Sequence, residues 1–317
     1  MREKKSFKRI GVLMGGSSSE REVSLVSGRG VCEALKRRGY DVMPLDIKDE
    51  NDAPRLLNAA GVEVVFIALH GGFGEDGTVQ KILEDMKMPY TGSGWQASAL
   101  AMDKIKSKKV MEEKGIPTPP YRTFKNNEYP SSLCGLSLPL IVKPSRQGSS
   151  IGVSMVAESD GLKDGLKKAY AFDFEVVVEE YIDGREIHIG ILDDKPLPVV
   201  EVVPKSKFYD YQAKYEDGST EYLVPAAIDK DVYLRAQALA IRTHNALGCC
   251  FFSRVDMRLS ADNRLFTLEV NTIPGLTAQS LLPKAAKSAG ITFEDLCEKI
   301  LNSARATTRV APTLLGI

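Results

Sequence analysis

From Arg9 to Gly92 the chain alternates short apolar runs with amphipathic ones, and this order restricts it to few architectures. RIGVLM (9–14) reads as a buried strand. A helix follows in GGSSSEREVSLVSGRGVCEALKRRG, running to about Arg38 and stopping at Gly39, with Ser19 and Glu22 spaced as a capping box. YDVMPLDI is a second strand and VEVVFIALH a third; a helix starts near Thr78 and a PYTG segment completes the pattern. Strands alternating with helices imply a parallel sheet with helices on its faces. Ligands of such sheets sit beyond the C-terminal strand ends. Two glycine-rich loops leave the strands there: GGSSSERE after Met14 and HGGFGEDGT from His70. The first lacks GxGxxG, and GxxxxGK[ST] occurs nowhere, which disfavours a nicotinamide enzyme or a P-loop NTPase. That loop can still offer backbone N–H groups to an anion. Glu20, at the helix start, is read equally well as a first-turn acid that complements the helix dipole.

The segment from about Gly94 to Gly115 reads as one helix, and its MDKIKSKKVMEEKG portion has a mostly charged, solvated pattern. GIPTPPYRTF breaks it with prolines and opens a second domain. LPLIVKPSRQGSSIGVSMV then reads as strand, Gly/Ser loop, strand. Lys143 inside the apolar run needs an anionic partner, and the loop is a candidate phosphate cover. After a helix near 159–170, VVVEEYIDGREIHIGIL gives two apolar segments around a turn at Asp183-Gly184, and PLPVVEVVP gives a further strand. Residues 205–223 have no clean period but carry several Tyr and Lys; a loop of that length is usually functional or disordered. A helix from about 230 to 247 and two closing helices complete the chain.

Between the 230–247 helix and the two closing helices lies CCFFSRVDMRLSADNRLFTLEVNTIPGLTAQSLLP (249–283), two apolar runs around Asp262-Asn263. If that pair forms a two-residue turn, Asp256 faces Glu269 and Arg254 faces Asn271. Period-two alternation puts all four side chains on one face. Opposed carboxylates repel, so the set points to a bound hard cation; oxygen ligands suit Mg²⁺ or Mn²⁺. Taken alone, an ordinary amphipathic hairpin with one wet face is the favoured explanation of the pattern.

Composition narrows the partners. The 42 basic and 42 acidic residues cancel, which is no signature of a nucleic-acid or membrane-surface binder. The five cysteines are odd in number and show no CxxC spacing, which fits a reducing cytosol rather than a disulfide framework or zinc site. The N-terminal apolar run is too short for a signal peptide and no stretch suits a membrane span, so a cytoplasmic location is expected.

With these pieces assembled, the chain resembles the D-alanine–D-alanine ligase family of the ATP-grasp superfamily. The resemblance covers residues 8 to 305 and rests on GGSSSEREVSLVSG, ALHGGFGEDGTVQ, PYTGSGWQASALAMDK, VKPSRQGSSIGVS, FYDYQAKY, RVDMRL and LEVNTIPGLTAQSLLP in that order and spacing. It implies an α/β ATP-grasp fold: an N-terminal Rossmann-like parallel-sheet domain (1–95), then two α+β subdomains (96–183 and 184–317) that grip ATP. The implied reaction joins two D-alanines through a D-alanyl phosphate, for peptidoglycan precursors. The implied ligands of two Mg²⁺ (or Mn²⁺) are Asp256, Glu269 and Asn271. Lys104 and Lys143 are implied as phosphate contacts, Glu179 and the Ile182 backbone as the adenine hinge, and Glu186 as the ribose contact. Lys214 with Phe208 belongs to the loop over ATP. On the substrate side, Glu20 holds an ammonium, His70 and Glu75 join it, and Arg254 with the Gly275 N–H forms the oxyanion site. Ser280 and Leu281 take the second carboxylate, and Ser149, Tyr215 and Glu75 form a hydrogen-bonded trio that ties the small loop to the long one. A homodimer is common in the family.

Three positions depart from the family pattern. Gln147 stands where Glu is frequent, in a solvent-side position; Ser253, beside the oxyanion site, replaces Gly or Ala; Arg258 replaces an apolar residue of the adenine pocket. Three other readings compete: a depsipeptide ligase making D-alanyl-D-lactate, against which Tyr215 argues; a non-catalytic relative, against which the intact metal set argues; and another ATP-grasp carboxylate–amine ligase, which would lack the HGGFGEDG and FYDYQAKY pair.

Overall fold

The computed structural model describes residues 7–125, 128–204 and 220–304; the expected site residues Phe208, Lys214 and Tyr215 lie outside them. The expected parallel sheet is present. Strands β1 (Arg9–Gly15), β2 (Asp41–Ile47) and β3 (Val64–Ile67) pair in parallel in the order β2-β1-β3. Six of the seven β1 residues are buried, as a central strand covered on both faces requires. Helix α1 (Arg21–Arg37) lies on this sheet, but the expected capping box does not form. Glu20 is the N-cap, and Ser18 rather than Ser19 supplies the hydroxyl, accepting from Glu20 N at 3.2 Å and donating to His70 O at 2.8 Å.

Helices α2 (Ala53–Ala60), α3 (Gly72–Glu75) and α4 (Thr78–Asp85) follow. The single helix expected over 94–115 is two, α5 (Trp95–Met102) and α6 (Lys104–Glu113), broken at the extended residue Asp103. The Asp103 carboxylate accepts from Lys106 N at 3.1 Å and caps α6. Nor is α6 solvated all round: Lys104, Ile105, Lys108 and Met111 are buried.

The second sheet is antiparallel, in the order β4-β7-β5-β6, from β4 (Tyr121–Lys125), β5 (Leu140–Pro144), β6 (Ser154–Val156) and β7 (Glu175–Glu180). Helix α7 (Leu162–Tyr170) covers it with Leu162, Leu166 and Ala169. The third sheet runs β10-β9-β8-β11-β12, from β8 (Arg185–Leu192), β9 (Lys195–Pro204), β10 (Thr220–Leu223), β11 (Phe252–Leu259) and β12 (Leu265–Asn271). Ile187, Ile189, Val255 and Met257 are fully buried with Ala236 and Ala240 of α8 (Lys230–Ala246). Each of those large side chains contributes roughly 1.5–3 kcal/mol of burial. Helices α9 (Leu281–Ser288) and α10 (Phe293–Asn302) return to the first sheet, where Leu282, Leu296 and Ile300 share a core with Val12, Val31 and Leu35.

Asp183-Gly184 does not close a hairpin, because β7 belongs to the second sheet and β8 to the third. It is the crossing between them. Gly184 has φ +136°, and a Cβ there would stand 2.1 Å from Leu259 O. Gly184→Ala is therefore expected to lower unfolding stability by roughly 2–4 kcal/mol, read from denaturant midpoints. A loss under about 1 kcal/mol would mean that the crossing relaxes freely.

Candidate active site

The β11–β12 hairpin forms the floor of the site. Arg254 faces Asn271 and Asp256 faces Glu269, as expected, but for a different reason. The loop is Ala261-Asp262-Asn263, with Ser260 N donating to Arg264 O at 2.9 Å and Asn263 left-handed at φ +61°. Near this three-residue loop the register is one step off, with Met257 opposite Thr267. A bulge at Leu268 then restores it, so that Leu268 and Glu269 both line a cavity while Thr267 and Val270 are buried.

Asp256 is the centre of a buried polar network. Its Oδ1 accepts from Arg254 Nε at 2.7 Å and its Oδ2 from Arg254 Nη2 at 2.8 Å and Asn271 Nδ2 at 3.0 Å. His188 Nδ1, opposite on β8, lies 2.7 Å from Oδ1, and His188 Nε2 lies 3.1 Å from Glu186 Oε1. Burial opposes the Asp256 charge, but Arg254 and His188 outweigh it and hold the carboxyl well below its usual range. Burial likewise works against the Arg254 charge, yet Asp256 raises its pKa.

A second cluster faces the floor from α6 and the second sheet. Lys104 Nζ donates to Gln147 O at 2.7 Å and sits 3.4 Å from Glu269 Oε2. Lys143 pairs with Glu179 Oε1, supplying the anionic partner that its apolar strand demanded. Arg258 does not project as an isolated charge. Its Nε donates to Ile182 O at 3.0 Å, its Nη2 to Tyr181 OH at 3.0 Å and Gly184 O at 2.9 Å, and its Nη1 lies 3.6 Å from Glu186 Oε2. It thus ties the sheet crossing to Glu186.

The N-terminal loops close the far side. Ser149 donates to Glu20 Oε1, so the Gly/Ser loop is latched to the first loop; Tyr215, the centre of the expected trio with Ser149 and Glu75, lies outside the described residues. Ser149 and Ser150 are both left-handed, at φ +48° and +59°. Non-glycine residues hold that conformation at a cost of roughly 1–3 kcal/mol, and such residues cluster at ligand clamps. Glu75 instead accepts from His70 Nδ1 at 3.4 Å, and His70 Nε2 lies 3.0 Å from Ser27 Oγ. Ser27 Oγ also accepts from Leu276 N at 3.4 Å, which links α1 to the segment after β12. There Gly275 packs against Ser280: a Cβ at 275 would lie 2.7 Å from Ser280 Oγ. Ser280 is the N-cap of α9, and Thr277 N donates to its Oγ at 3.1 Å. The N–H groups that start α9 suit a carboxylate.

Two cavities result. One, of about 330 Å³, is lined by Lys104, Lys143, Glu179, Ile182, Glu186 and Arg258. The other, of about 580 Å³, is lined by Glu20, His70, Glu75, Arg254, Asn271, Gly275, Ser280 and Leu281. Both fall in the range of small-molecule sites, roughly 300–1,000 Å³. Gly148, Ser149, Asp256 and Glu269 line both, so the cavities meet at the floor. Every expected site residue within the described chain therefore lines one cavity or the other.

The donor set fits a hard cation. Asp256, Glu269 and Asn271 present two carboxylates and an amide on one face, and among the described residues no cluster of three or more His, Cys, Asp or Glu offers a fuller cage. Few protein oxygens, completed by water and phosphate oxygens, suit Mg²⁺ or Mn²⁺.

Two expectations are corrected here. Alternation on β11 turns Ser253 away from Arg254: it is fully buried, 2.7 Å from His244 Nδ1 on α8, and cannot perturb the oxyanion site directly. Lys108, read as a solvated residue, is fully buried beside Glu179. His188 was missed as well; its signal was a polar residue two positions after Glu186 in an otherwise apolar strand.

Comparison with known proteins agrees with this geometry. Family models described as D-ala D-ala ligase N-terminus and D-ala D-ala ligase C-terminus match residues 9–54 with 51–93 and residues 110–302. The D-alanine--D-alanine ligase of Syntrophotalea carbinolica is 49% identical over 305 residues, covering 96% of this chain and 98% of that protein. The D-alanine--D-alanine ligase of Geobacter sulfurreducens is 48% identical, covering 93% and 94%. Among solved structures, D-alanine--D-alanine ligase from Bacillus anthracis complexed with ATP superposes with a TM-score of 0.83 at 36% identity, covering 93% of this chain and 97% of that one. VanG D-Ala:D-Ser ligase from Enterococcus faecalis gives 0.80 at 32% identity, covering 94% and 99%.

Proposed function

Because the chain belongs to the D-alanine–D-alanine ligase family, we propose that its smaller cavity holds ATP and its larger one two D-alanine molecules. The protein is an ATP-dependent ligase that joins two D-alanines for peptidoglycan precursor synthesis. The observation that carries the assignment of the cavities is their shared wall of Gly148, Ser149, Asp256 and Glu269. A terminal phosphate in one cavity there faces a carboxylate in the other.

A carboxylate acylates poorly; phosphorylated by ATP, it becomes D-alanyl phosphate with a good leaving group, and ADP departs. Phosphoryl transfer depends on position and charge neutralisation. Lys104 and Lys143 supply both from the cavity wall, with Lys214 and Phe208 assigned to the loop over the nucleotide. When bound at Asp256, Glu269 and Asn271, Mg²⁺ or Mn²⁺ supplies further neutralisation for that transfer. Glu179 and the Ile182 backbone take adenine, and Glu186 the ribose. Glu20, with His70 and Glu75, orients the first D-alanine by its ammonium. The second D-alanine, its carboxylate at Ser280 and Leu281, attacks through its free amine. Arg254 and the Gly275 N–H stabilise the oxyanion, and phosphate leaves. Ser149 and Tyr215 hold the covering loops shut against water.

The reading extends to three lobes, 1–95, 96–183 and 184–317, supported by one sheet in each. It also makes the protein a cytoplasmic homodimer; the five cysteines form no disulfide, which suits a reducing compartment, and among the described residues no helix is long and apolar enough to cross a membrane. Incubation with ATP, Mg²⁺ and D-alanine is expected to release phosphate and yield D-alanyl-D-alanine. D-lactate or D-serine in competition is expected to enter product less than D-alanine. Absence of phosphate release with any D-amino acid refutes the reading.

A further inference from the structure

Lys104 and Lys108 lie one helical turn apart on α6. Lys104 lines the smaller cavity, whereas Lys108 sits behind it, fully buried and outside the cavity wall. Its ammonium donates to Thr118 Oγ1 at 2.5 Å and lies 2.8 Å from Glu179 Oε2. The other oxygen of that carboxylate, Oε1, is held by Lys143 at 2.5 Å. Two cations thus share one anion. Lys143 approaches from the cavity side and Lys108 from the protein side, and the trio carries one net positive charge.

We propose that Lys108 is a positioning residue that keeps Glu179 neutralised while Lys143 leaves it for the nucleotide phosphates. The proposal rests on the smaller cavity being the nucleotide site. A buried carboxylate stripped of its only cation is strongly disfavoured. Were Lys143 the sole partner of Glu179, every phosphate would have to compete with that carboxylate for it. With Lys108 behind, departure of Lys143 leaves a matched pair, and the excess positive charge meets the incoming phosphates. Burial pulls Lys108 down to about 8, and Glu179 is held at about 2 by the two lysines against its own burial, so both are charged at neutral pH. The ring of Tyr121, 5.0 Å from Lys108 Nζ, adds a further favourable contact for that cation.

The readout is the ratio of adenosine to ADP dissociation constants, measured calorimetrically with Mg²⁺ present, which isolates the contribution of the phosphates. Lys108→Met is expected to lower this ratio by about tenfold or more, because Lys143 is then retained by Glu179. In Lys108→Met/Glu179→Gln the ratio is expected to return to within about threefold of the native value, since glutamine no longer holds Lys143. An unchanged ratio in Lys108→Met, or no recovery in the double variant, overturns the proposal. Equal weakening of adenosine and ADP leaves the ratio unchanged and marks a packing role instead. Should Lys108→Met not fold, a crystal structure of the native protein with ADP decides. Lys143 is expected on a phosphate oxygen with Lys108 still on Glu179; Lys143 remaining on Glu179 is the contrary result. Native protein that binds neither adenosine nor ADP refutes the nucleotide site itself, a separate outcome.

Discussion

Arg254→Met is expected to lower kcat by about 10²–10³-fold, with KM for ATP near native, the size of effect seen when one oxyanion donor is removed. Arg254 lines the larger cavity, whereas the residues proposed to contact the nucleotide line the smaller one. Its Nε and Nη2 are fixed on Asp256 at 2.7 and 2.8 Å, so the guanidinium plane is held still before substrate arrives. That preorganisation gives the donor its strength, because no reorientation is needed when charge develops. The same bidentate pair makes the variant less stable, since it leaves Asp256 with His188 and Asn271 but without its strongest partner; removing one partner of a buried ion pair costs roughly 3–5 kcal/mol. Thermal unfolding and steady-state kinetics must therefore be measured together, at a temperature where the variant is folded. A kcat within about threefold of native would remove Arg254 from the chemical step. A large rise in KM for ATP, with kcat preserved, would place it on the nucleotide instead.

Much of this site was legible because strand alternation is a strict rule. Once β11 and β12 were placed, Arg254, Asp256, Glu269 and Asn271 had to share a face. The pairing came out right although the turn did not. A three-residue loop shifts the register by one, and the bulge at Leu268 shifts it back. Period alone contains neither event, and the two cancel only in the half of the hairpin that carries the site. Helix α6 was misread for a related reason. Its charged residues suggest a solvated surface, but Lys104 and Lys108 recur at helical spacing on a face that meets Glu269 and Glu179 from other elements. A lysine's environment depends on its distant partner, and nothing in KIKSKK names one. Asp183-Gly184 reads as a turn between two apolar runs, and the turn alone does not say whether those runs pair. Sheet membership is a long-range property, and here β7 and β8 part company at Gly184. The Ser149–Glu20 bond was not anticipated, because residues in neighbouring loops are not resolved by sequence order, even though Glu20 and Ser149 line one cavity.

Glu269→Gln is expected to lower phosphate release by about 10³-fold or more, since a metal acting on a phosphoryl oxygen contributes several kcal/mol to the transition state. The substitution keeps the shape of the side chain and removes only its charge, so folding stability should change little. Lys104 would lose a partner 3.4 Å away but keep its bond to Gln147 O at 2.7 Å, and so its place in the cavity. This separates two explanations of a lost activity. If Glu269 serves only to hold Lys104, Glu269→Gln weakens ADP binding and leaves Mn²⁺ affinity, read by paramagnetic relaxation of water in the ADP complex, at its native value. If Glu269 is a ligand, Mn²⁺ affinity falls along with turnover. Unchanged activity would refute both and return the hairpin to an ordinary wet face. The shared wall favours the ligand: Glu269 lines both cavities, where a cation would contact the phosphoryl group at the point of transfer. The bulge at Leu268 is what aims it there: were Leu268 paired regularly behind the three-residue loop, it would face Asp256 and Glu269 would face Val255.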